Sequence, residues 1–390
     1  MPTATGPTTT FTSTPIIAVD YTPAYEQGGG IGRYVRELVT ALAQIDERTS
    51  YRLFVSGARA ALPQPPGPNF TWRPTRLSPR WLARIWHRAG LRLPVEAFTG
   101  PLHLFHATDF VLPPTCARTR TLVTVHDLSF VRVPETASPP LKAYLDAVVP
   151  RSVRRADHIL ADSSATRNDL VEVYNIPPEK ITVLLSGVDS RFHRADSETI
   201  SRVRNRYHLG DTDFILAVGT VQPRKNYARL TQALALLRQR NHDIQLVIAG
   251  GPGWLEDPIY EAIRSASMEP FVRFIGFADD ADLPALYSAA CCFAFPSLYE
   301  GFGLPVLESM ACGTPVVTSN VSSLPEVAGE AALMVDPRDV EAIAEAIQRV
   351  LMDCDLREDL ITKGLTQAAR FTWEKAAQNL LGVYLHLLSR

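Results

Sequence analysis

The stretch FILAVGTVQPRKNYARLTQALALLRQRNHDIQLVIAG, residues 214–250, sets an apolar run, a basic turn, a helical segment and a second apolar run in succession. Short apolar runs that alternate with helical segments predict parallel strands covered by helices. The same rhythm continues through VRFIGF (272–277), CCFAFP (291–296) and TPVVTS (314–319). Strand-like runs also precede it, at PIIAVD (15–20), YRLFV (51–55), HLFHA (103–107), TLVTVHD (121–127), HILADS (158–163) and ITVLLS (181–186). Ile31, Val35, Leu38, Val39 and Leu42 lie at the spacing of one helix face. A polar stretch, SRFHRADSETISRVRNRYHLGDTD (190–213), separates the two series. The chain therefore reads as α/β, with two Rossmann-like, doubly wound domains.

A chain of 390 residues is long enough for two domains, each with its own core. The predicted boundaries are a disordered tail over 1–14, a first domain over 15–195, a second over 196–372 and a final helix over 373–390. Hydrophobic content of 46%, charged content of 21% and a formal charge of −2 carry no global signal for nucleic acid. Any anion site must be local. The five cysteines, at 116, 291, 292, 312 and 354, show no C-x-x-C spacing, which suits a reducing cytoplasm. Neither a signal peptide nor an apolar run of about 18 residues is present in the sequence.

Ligands of open parallel sheets sit beyond the carboxyl ends of the strands, so polar and glycine-rich residues there are the candidates. QGGGIGRYVREL (27–38) opens a helix with Gly28, Gly29, Gly30 and Gly32, either a flexible turn or a backbone cradle for a phosphate or sugar hydroxyl. The dinucleotide pattern G-x-G-x-x-G fails, because Arg33 stands where the third glycine belongs. His126 and Asp127 follow a buried strand directly, in either a structural or a catalytic role. Gly219 and Thr220 end another strand, and Arg224 and Lys225 stand at the start of the next helix. Two cations beside free N–H groups suit a diphosphate; a solvated basic turn is the alternative.

SLYEGFGLPVLESMACGTPVV (297–317) places Glu300 in a loop and starts a helix near Gly303 or Leu304 that stops at Gly313. Leu304, Glu308 and Ala311 share one face of it, so Glu308 is expected to be buried and to need hydrogen-bond donors. A sugar or ribose diol supplies two side by side; an internal ion pair is the structural alternative. Glycines at 301 and 303 let backbone amides approach a phosphate or sugar closely.

In their order, GGGIGRYV, VHDLSF, ADSSATRNDL, LLSGVD, VGTVQPRKN and the block from SLYEGFG to GEAAL resemble the retaining, nucleotide-sugar-dependent glycosyltransferases of the family 4 type. That resemblance implies the GT-B fold, two domains facing each other across a cleft, with the last helix crossing back onto the first. It implies that Glu308 binds the donor ribose and Glu300 the donor sugar, with amides of Phe302, Gly303 and Leu304 nearby. Arg224 and Lys225 would neutralise the departing diphosphate, with Gly219 and Thr220 beside them. His126 would face the donor sugar, and the Gly30 and Gly32 loop would lie under diphosphate or acceptor. No cofactor and no metal ion is implied, only a nucleotide-diphosphate sugar as co-substrate. GGGIGRYV together with VHDLSF is frequent among mannosyltransferases of bacterial polysaccharide assembly in that family, which points to GDP-mannose and to a glycan or lipid-linked acceptor. A sugar-nucleotide epimerase or hydrolase of the same fold, a non-catalytic sugar-nucleotide-binding protein and, distantly, an NAD-dependent oxidoreductase are the competing readings. RWLARIWHRAGLRL (80–93) repeats Arg80, Arg84 and Arg88 beside Trp81, Leu82, Ile85 and Trp86. Such a pattern suits contact with an anionic membrane at the inner face, or a surface helix packed on the first domain.

Overall fold

The computed structural model describes residues 14–88 and 93–389. The predicted tail over 1–14 lies outside them except for its last residue, as do residues 89–92 of the basic segment. Two parallel sheets organise the chain. The first contains Ile16–Asp20 (β1), Ser50–Ser56 (β2), Phe70–Thr75 (β3), Leu104–Ala107 (β4), Arg120–Val125 (β5), His158–Ala161 (β6) and Ile181–Val183 (β7). Their order is β3-β2-β1-β4-β5-β6-β7. The second contains Phe214–Val218 (β8), Gln245–Ala249 (β9), Val272–Gly276 (β10), Cys292–Phe295 (β11), Val316–Ser319 (β12) and Ala332–Val335 (β13), ordered β10-β9-β8-β11-β12-β13.

Helices cover both faces of each sheet, so central strands are buried along their whole length and mostly apolar instead of alternating. All four residues of β4, β11 and β12 are buried, as are all five of β9. Each sheet is sandwiched by two hydrophobic clusters: Phe214 and Leu216 point to one side of β8, Ile215 and Ala217 to the other. Strands β3 and β13 are absent from the sequence reading, and both are outermost. Pro74 sits inside β3, which an edge strand tolerates because one side of its backbone needs no ladder partner. β13 is only half-buried over Ala332–Met334, so its apolar pattern is weak.

The helix Trp373–Leu388 leaves the second half and packs Trp373, Ala376, Ala377, Leu380, Tyr384 and Leu387 into the core under β1, β2 and β4. Its start is pressed onto the segment joining the halves: a Cβ on Gly187 would lie 2.2 Å from the Trp373 nitrogen. Tyr384 Oη is 2.8 Å from His106 Nδ1, and the other ring nitrogen is 2.8 Å from Thr124 Oγ1. Burial holds His106 well down, at about 3, so this buried polar chain is neutral. Among the described residues no helix is long and apolar enough to cross a membrane.

The halves also touch across the cleft. Trp254 Nε1 donates to the Thr136 carbonyl at 2.8 Å, Ser164 donates through both N–H and Oγ to Glu326 at 2.8 and 2.9 Å, and Tyr299 donates to Asp169.

Candidate active site

Between β8 and the helix Tyr227–Gln239 the chain makes one short turn, Pro223–Lys225, that presents two cations. Asn226 ends it in a left-handed conformation and donates to the carbonyls of Pro296 and Pro337 at 2.9 and 2.6 Å, which ties the turn to the loops after β11 and β13. Leu298 N–H donates to the Arg224 carbonyl at 2.9 Å. The loop carrying Glu300 is thereby laid beside the cations.

Arg224 and Lys225 each donate to Glu300 at 2.7 Å, one to each carboxylate oxygen. The Lys225 ammonium also sits 4.5 Å from the centre of the Phe295 ring. Burial raises the Glu300 carboxyl, but the two cations outweigh it and hold the group at about 2. Burial pushes the Lys225 ammonium down, against the pull of Glu300. The sequence reading aimed these cations at a diphosphate; their partner here is the adjacent glutamate, which leaves a cluster of two positive charges and one negative.

Gly219 fits the same place for a steric reason. With φ at +145° it takes a backbone shape that suits glycine, and a Cβ there would meet the Lys225 side chain at 2.9 Å. Its carbonyl accepts from Tyr227 Oη at 2.9 Å, and Thr220 beyond it is exposed.

The turn after Glu300 runs against the other half of the molecule. A Cβ on Gly301 would lie 2.0 Å from the His126 carbonyl oxygen and 2.9 Å from Asp127 Cβ. Asp127 in turn acts electrostatically on both Arg224 and Lys225. Ser323 Oγ donates to the carbonyls of Glu300 and Phe302, at 2.9 and 2.7 Å, fixing the turn. Among the described residues no protein group accepts from the amides of Gly301, Phe302, Gly303 or Leu304, which remain open at the start of the helix Leu304–Ala311. Phe302 itself is buried against Phe371. Gly313, with φ at +70°, ends that helix as the sequence predicts.

Glu308 is 3% exposed on that helix. The sequence reading took its donors to be a ribose diol, with an internal ion pair as the alternative; the structure supplies donors from the protein. Arg33, reaching from the first half, donates to one oxygen of Glu308, and Tyr287 donates to the other at 2.9 Å. Arg33 also pairs with Asp280 at 2.6 Å and lies over the Phe192 ring. The carboxylate retains lone pairs for further donors.

The glycine loop divides by role. Gly30, with φ at +51°, begins the helix Ile31–Ile45 and, like Gly29, borders open space. Gly32 is buried, and a Cβ would lie 2.1 Å from the Gln27 carbonyl, so its own domain's packing accounts for that glycine. Arg36 pins the loop through the carbonyls of Ala24 and Gln27 at 2.9 and 2.7 Å. Phe277, 63% exposed after β10, faces Gly28 across the cleft.

His126, at the carboxyl end of β5, is buried, with Nδ1 2.7 Å from Asp162 Oδ2 and Nε2 2.8 Å from the Thr108 carbonyl. The structure thus gathers His126, Arg224, Lys225, Glu300 and the open amides of Phe302, Gly303 and Leu304 around one place where the halves meet. Arg33, Asp162 and Tyr287 join them without having been singled out as site residues in the sequence. Arg33 carried a signal, a cation in a glycine loop; Asp162 carried one too, an acid at the end of the strand beside β5.

Comparison with known proteins follows the same division. Residues 200–367 match the family described as glycosyl transferases group 1, and residues 28–192 match glycosyltransferase family 4. An O-antigen chain mannosyltransferase B of Escherichia coli is 35% identical over 368 residues, covering 91% of this chain and 95% of that protein. A D-inositol 3-phosphate glycosyltransferase of Salinispora arenicola is 35% identical over 247 residues, 60% of this chain and 55% of that one. Among solved structures, a sucrose-phosphate synthase of Thermosynechococcus elongatus superposes with a TM-score of 0.76 at 24% identity, covering 97% of this chain and all of that one. Anabaena HepE, solved in complex with UDP and glucose, superposes with a TM-score of 0.73 at 20% identity over 95% of this chain and 99% of its own. These two likenesses establish the fold.

Proposed function

The chain belongs to the family 4 glycosyltransferases and has their GT-B fold, and from that footing we propose that it transfers mannose from GDP-mannose, with retention, to a hydroxyl of a glycan or lipid-linked acceptor. The observation that carries this reading is the cluster of Arg224, Lys225 and Glu300 pressed against His126 and Asp127 by the Gly301 contact. The diphosphate of the donor exchanges places with Glu300 on the two cations, which stabilise negative charge as it grows on the leaving group. Glu300, released toward the sugar, accepts from its hydroxyls; the open amides of Phe302, Gly303 and Leu304 contact donor oxygens. Glu308 accepts from the ribose diol, and Gly219, Thr220 and Gly30 shape the floor and walls of the donor site. With two fixed cations at the leaving group, the transfer proceeds without a metal ion.

Retention follows a front-side course. The acceptor oxygen bonds to the anomeric carbon on the face from which the diphosphate departs, the carbon–phosphate oxygen bond breaks, and the acceptor proton passes to a phosphate oxygen. Double displacement would need a carboxylate nucleophile directly under that carbon, whereas in this reading the released Glu300 accepts from the sugar's hydroxyls. A glycosyl adduct trapped on the protein would overturn this course.

The mannose assignment draws on the Escherichia coli mannosyltransferase, similar along nearly the whole chain. Contact with the inner face of the membrane is part of the same reading. Trp81 is 56% exposed with Arg84 stacked over it, while Leu82 is buried beneath. A thermal-shift panel of GDP, UDP, ADP and dTDP with their sugar conjugates, with and without EDTA, tests the donor. A ligand at about 100 times its Kd adds about 2.7 kcal/mol to stability. GDP and GDP-mannose are expected to raise the melting temperature, EDTA or not; stabilisation by another base alone would reassign the donor.

A further inference from the structure

The two nitrogens of the His126 ring face a carboxylate and a backbone carbonyl, both acceptors. A backbone carbonyl has no proton to give, so Nε2, 2.8 Å from the Thr108 oxygen, must carry one. Nδ1 lies 2.7 Å from Asp162 Oδ2. The ring cannot turn to exchange these partners, because Tyr34 and Phe110 close on it edge to face at 5.1 and 5.5 Å between ring centres. Its backbone is held as well: Thr166 Oγ1 donates to the His126 carbonyl at 3.1 Å, and Gly301 packs on the same oxygen.

We propose that Asp162 is a positioning residue that keeps His126 doubly protonated, so that His126 serves the transfer as a fixed cation beside the donor and not as a general base. The proposal rests on the transferase reading for what the charge acts upon; the protonation state stands without it. A ring with a proton on each nitrogen has no lone pair with which to take the acceptor's proton, which leaves that proton to a phosphate oxygen. What the ring adds is positive charge on the first domain's side of the cleft, opposite the two cations of the second.

The groups around it agree. Asp162 faces it from the end of β6, Asp109 from the loop after β4, and Asp127 follows it in the chain. His106 on β4 is neutral, Tyr34 comes from the helix Ile31–Ile45, and the second domain offers the Gly301 backbone. Burial pushes the imidazolium down, but Asp162 and Asp109 more than reverse this and carry it to about 9. Burial pushes the Asp162 carboxyl up, and the paired ring opposes that. Among the described residues no group donates to the buried Asp162 Oδ1, and the ring is the one that compensates the carboxylate's charge.

The test needs no substrate at its first step. Long-range nitrogen–proton correlation on 15N-histidine-labelled protein, with the His126 signals assigned by their loss in His126→Gln, should show both ring nitrogens protonated at pH 7.5. A neutral-imidazole pattern there would overturn the proposal, whatever the protein transfers. The second step follows GDP release from GDP-mannose by Asp162→Asn. An amide cannot stabilise the second proton as a carboxylate does, so the ring should titrate near its ordinary value of about 6.5. Between pH 6 and 8 the variant's kcat should fall about 25-fold, following the loss of the imidazolium, while wild type stays level and KM moves little in either. A variant profile parallel to wild type would overturn the positioning role. Doubly protonated nitrogens in a wild-type protein that releases no GDP would leave this inference standing and sink the donor assignment instead. If Asp162→Asn does not fold, the wild-type nitrogen spectrum decides alone.

Discussion

Glu300 and Glu308 lie eight positions apart, both buried, and are held in opposite ways. Glu300 is clamped by Arg224 and Lys225, cations of its own domain fixed to the same loop. Glu308 is held partly by Tyr287 of its own domain and partly by Arg33, which belongs to the other. The first arrangement exists however the domains are placed; the second is complete only when they meet. One carboxylate therefore marks a site built in advance, and the other marks closure.

Removing the pre-built half should have the largest effect. In Glu300→Gln the two cations lose their counter-charge and the sugar loses an ionised acceptor, so kcat should fall by about 100- to 1,000-fold, read as GDP release. A loss below tenfold would make Glu300 structural. Gly301→Ala separates building from closure: its methyl would sit on the His126 carbonyl, holding the halves apart. Turnover should drop about 100-fold through misplacement of the reacting groups while nucleotide affinity survives, and small-angle scattering should show an expanded particle. Equal loss of binding and turnover would contradict that separation. Arg33→Ala removes the cross-cleft pairs with Glu308 and Asp280 and the stacking on Phe192; closure should weaken by about 1–3 kcal/mol, seen as a broader scattering distribution, with Tyr287 still holding Glu308. The smallest effect is on stability against pH, and it differs between the halves. Glu300 has a folded pKa of about 2, below its ordinary 4.5, so its contribution is present above pH 4.5 and lost as pH falls through 2. His126 has a folded value of about 9, above its ordinary 6.5, so its contribution is full below pH 6.5 and lost as pH rises through 9. Melting curves should lose their acid limb in Glu300→Gln and their alkaline limb in His126→Gln.

The sequence showed the two alternating halves, because central strands of a covered parallel sheet are mostly apolar and helices return between them. It did not show β3 and β13, where an edge position admits Pro74 in one and half-exposed residues in the other. It showed Arg224 with Lys225 and, separately, Glu300 beyond strand ends, and the family resemblance grouped them; the pairing of β8 with β11 is what makes them neighbours. It did not show that these three pair with one another, since residue order carries no distance. Arg33 was visible only as the residue that spoils a glycine motif; its partner Glu308 is 275 positions away. Glycine at a helix start serves a ligand and close packing equally well, so Gly32 is ambiguous in the sequence; packing against Gln27 is what the backbone shows. Asp162 sat in a quoted motif without a role, and only the pairing of β5 with β6 brings it beside His126.

The central claim is that the second domain holds a diphosphate on Arg224 and Lys225. Its most direct measurement is calorimetric titration with matched mono- and diphosphates of guanosine and uridine, in EDTA, on wild type and Lys225→Ala. One nucleoside diphosphate should bind wild type at least about tenfold more tightly than its monophosphate, as a charge-assisted contact to one more phosphate requires, and the variant should lose that preference. Equal binding of mono- and diphosphate, or a preference that survives Lys225→Ala unchanged, would contradict the account.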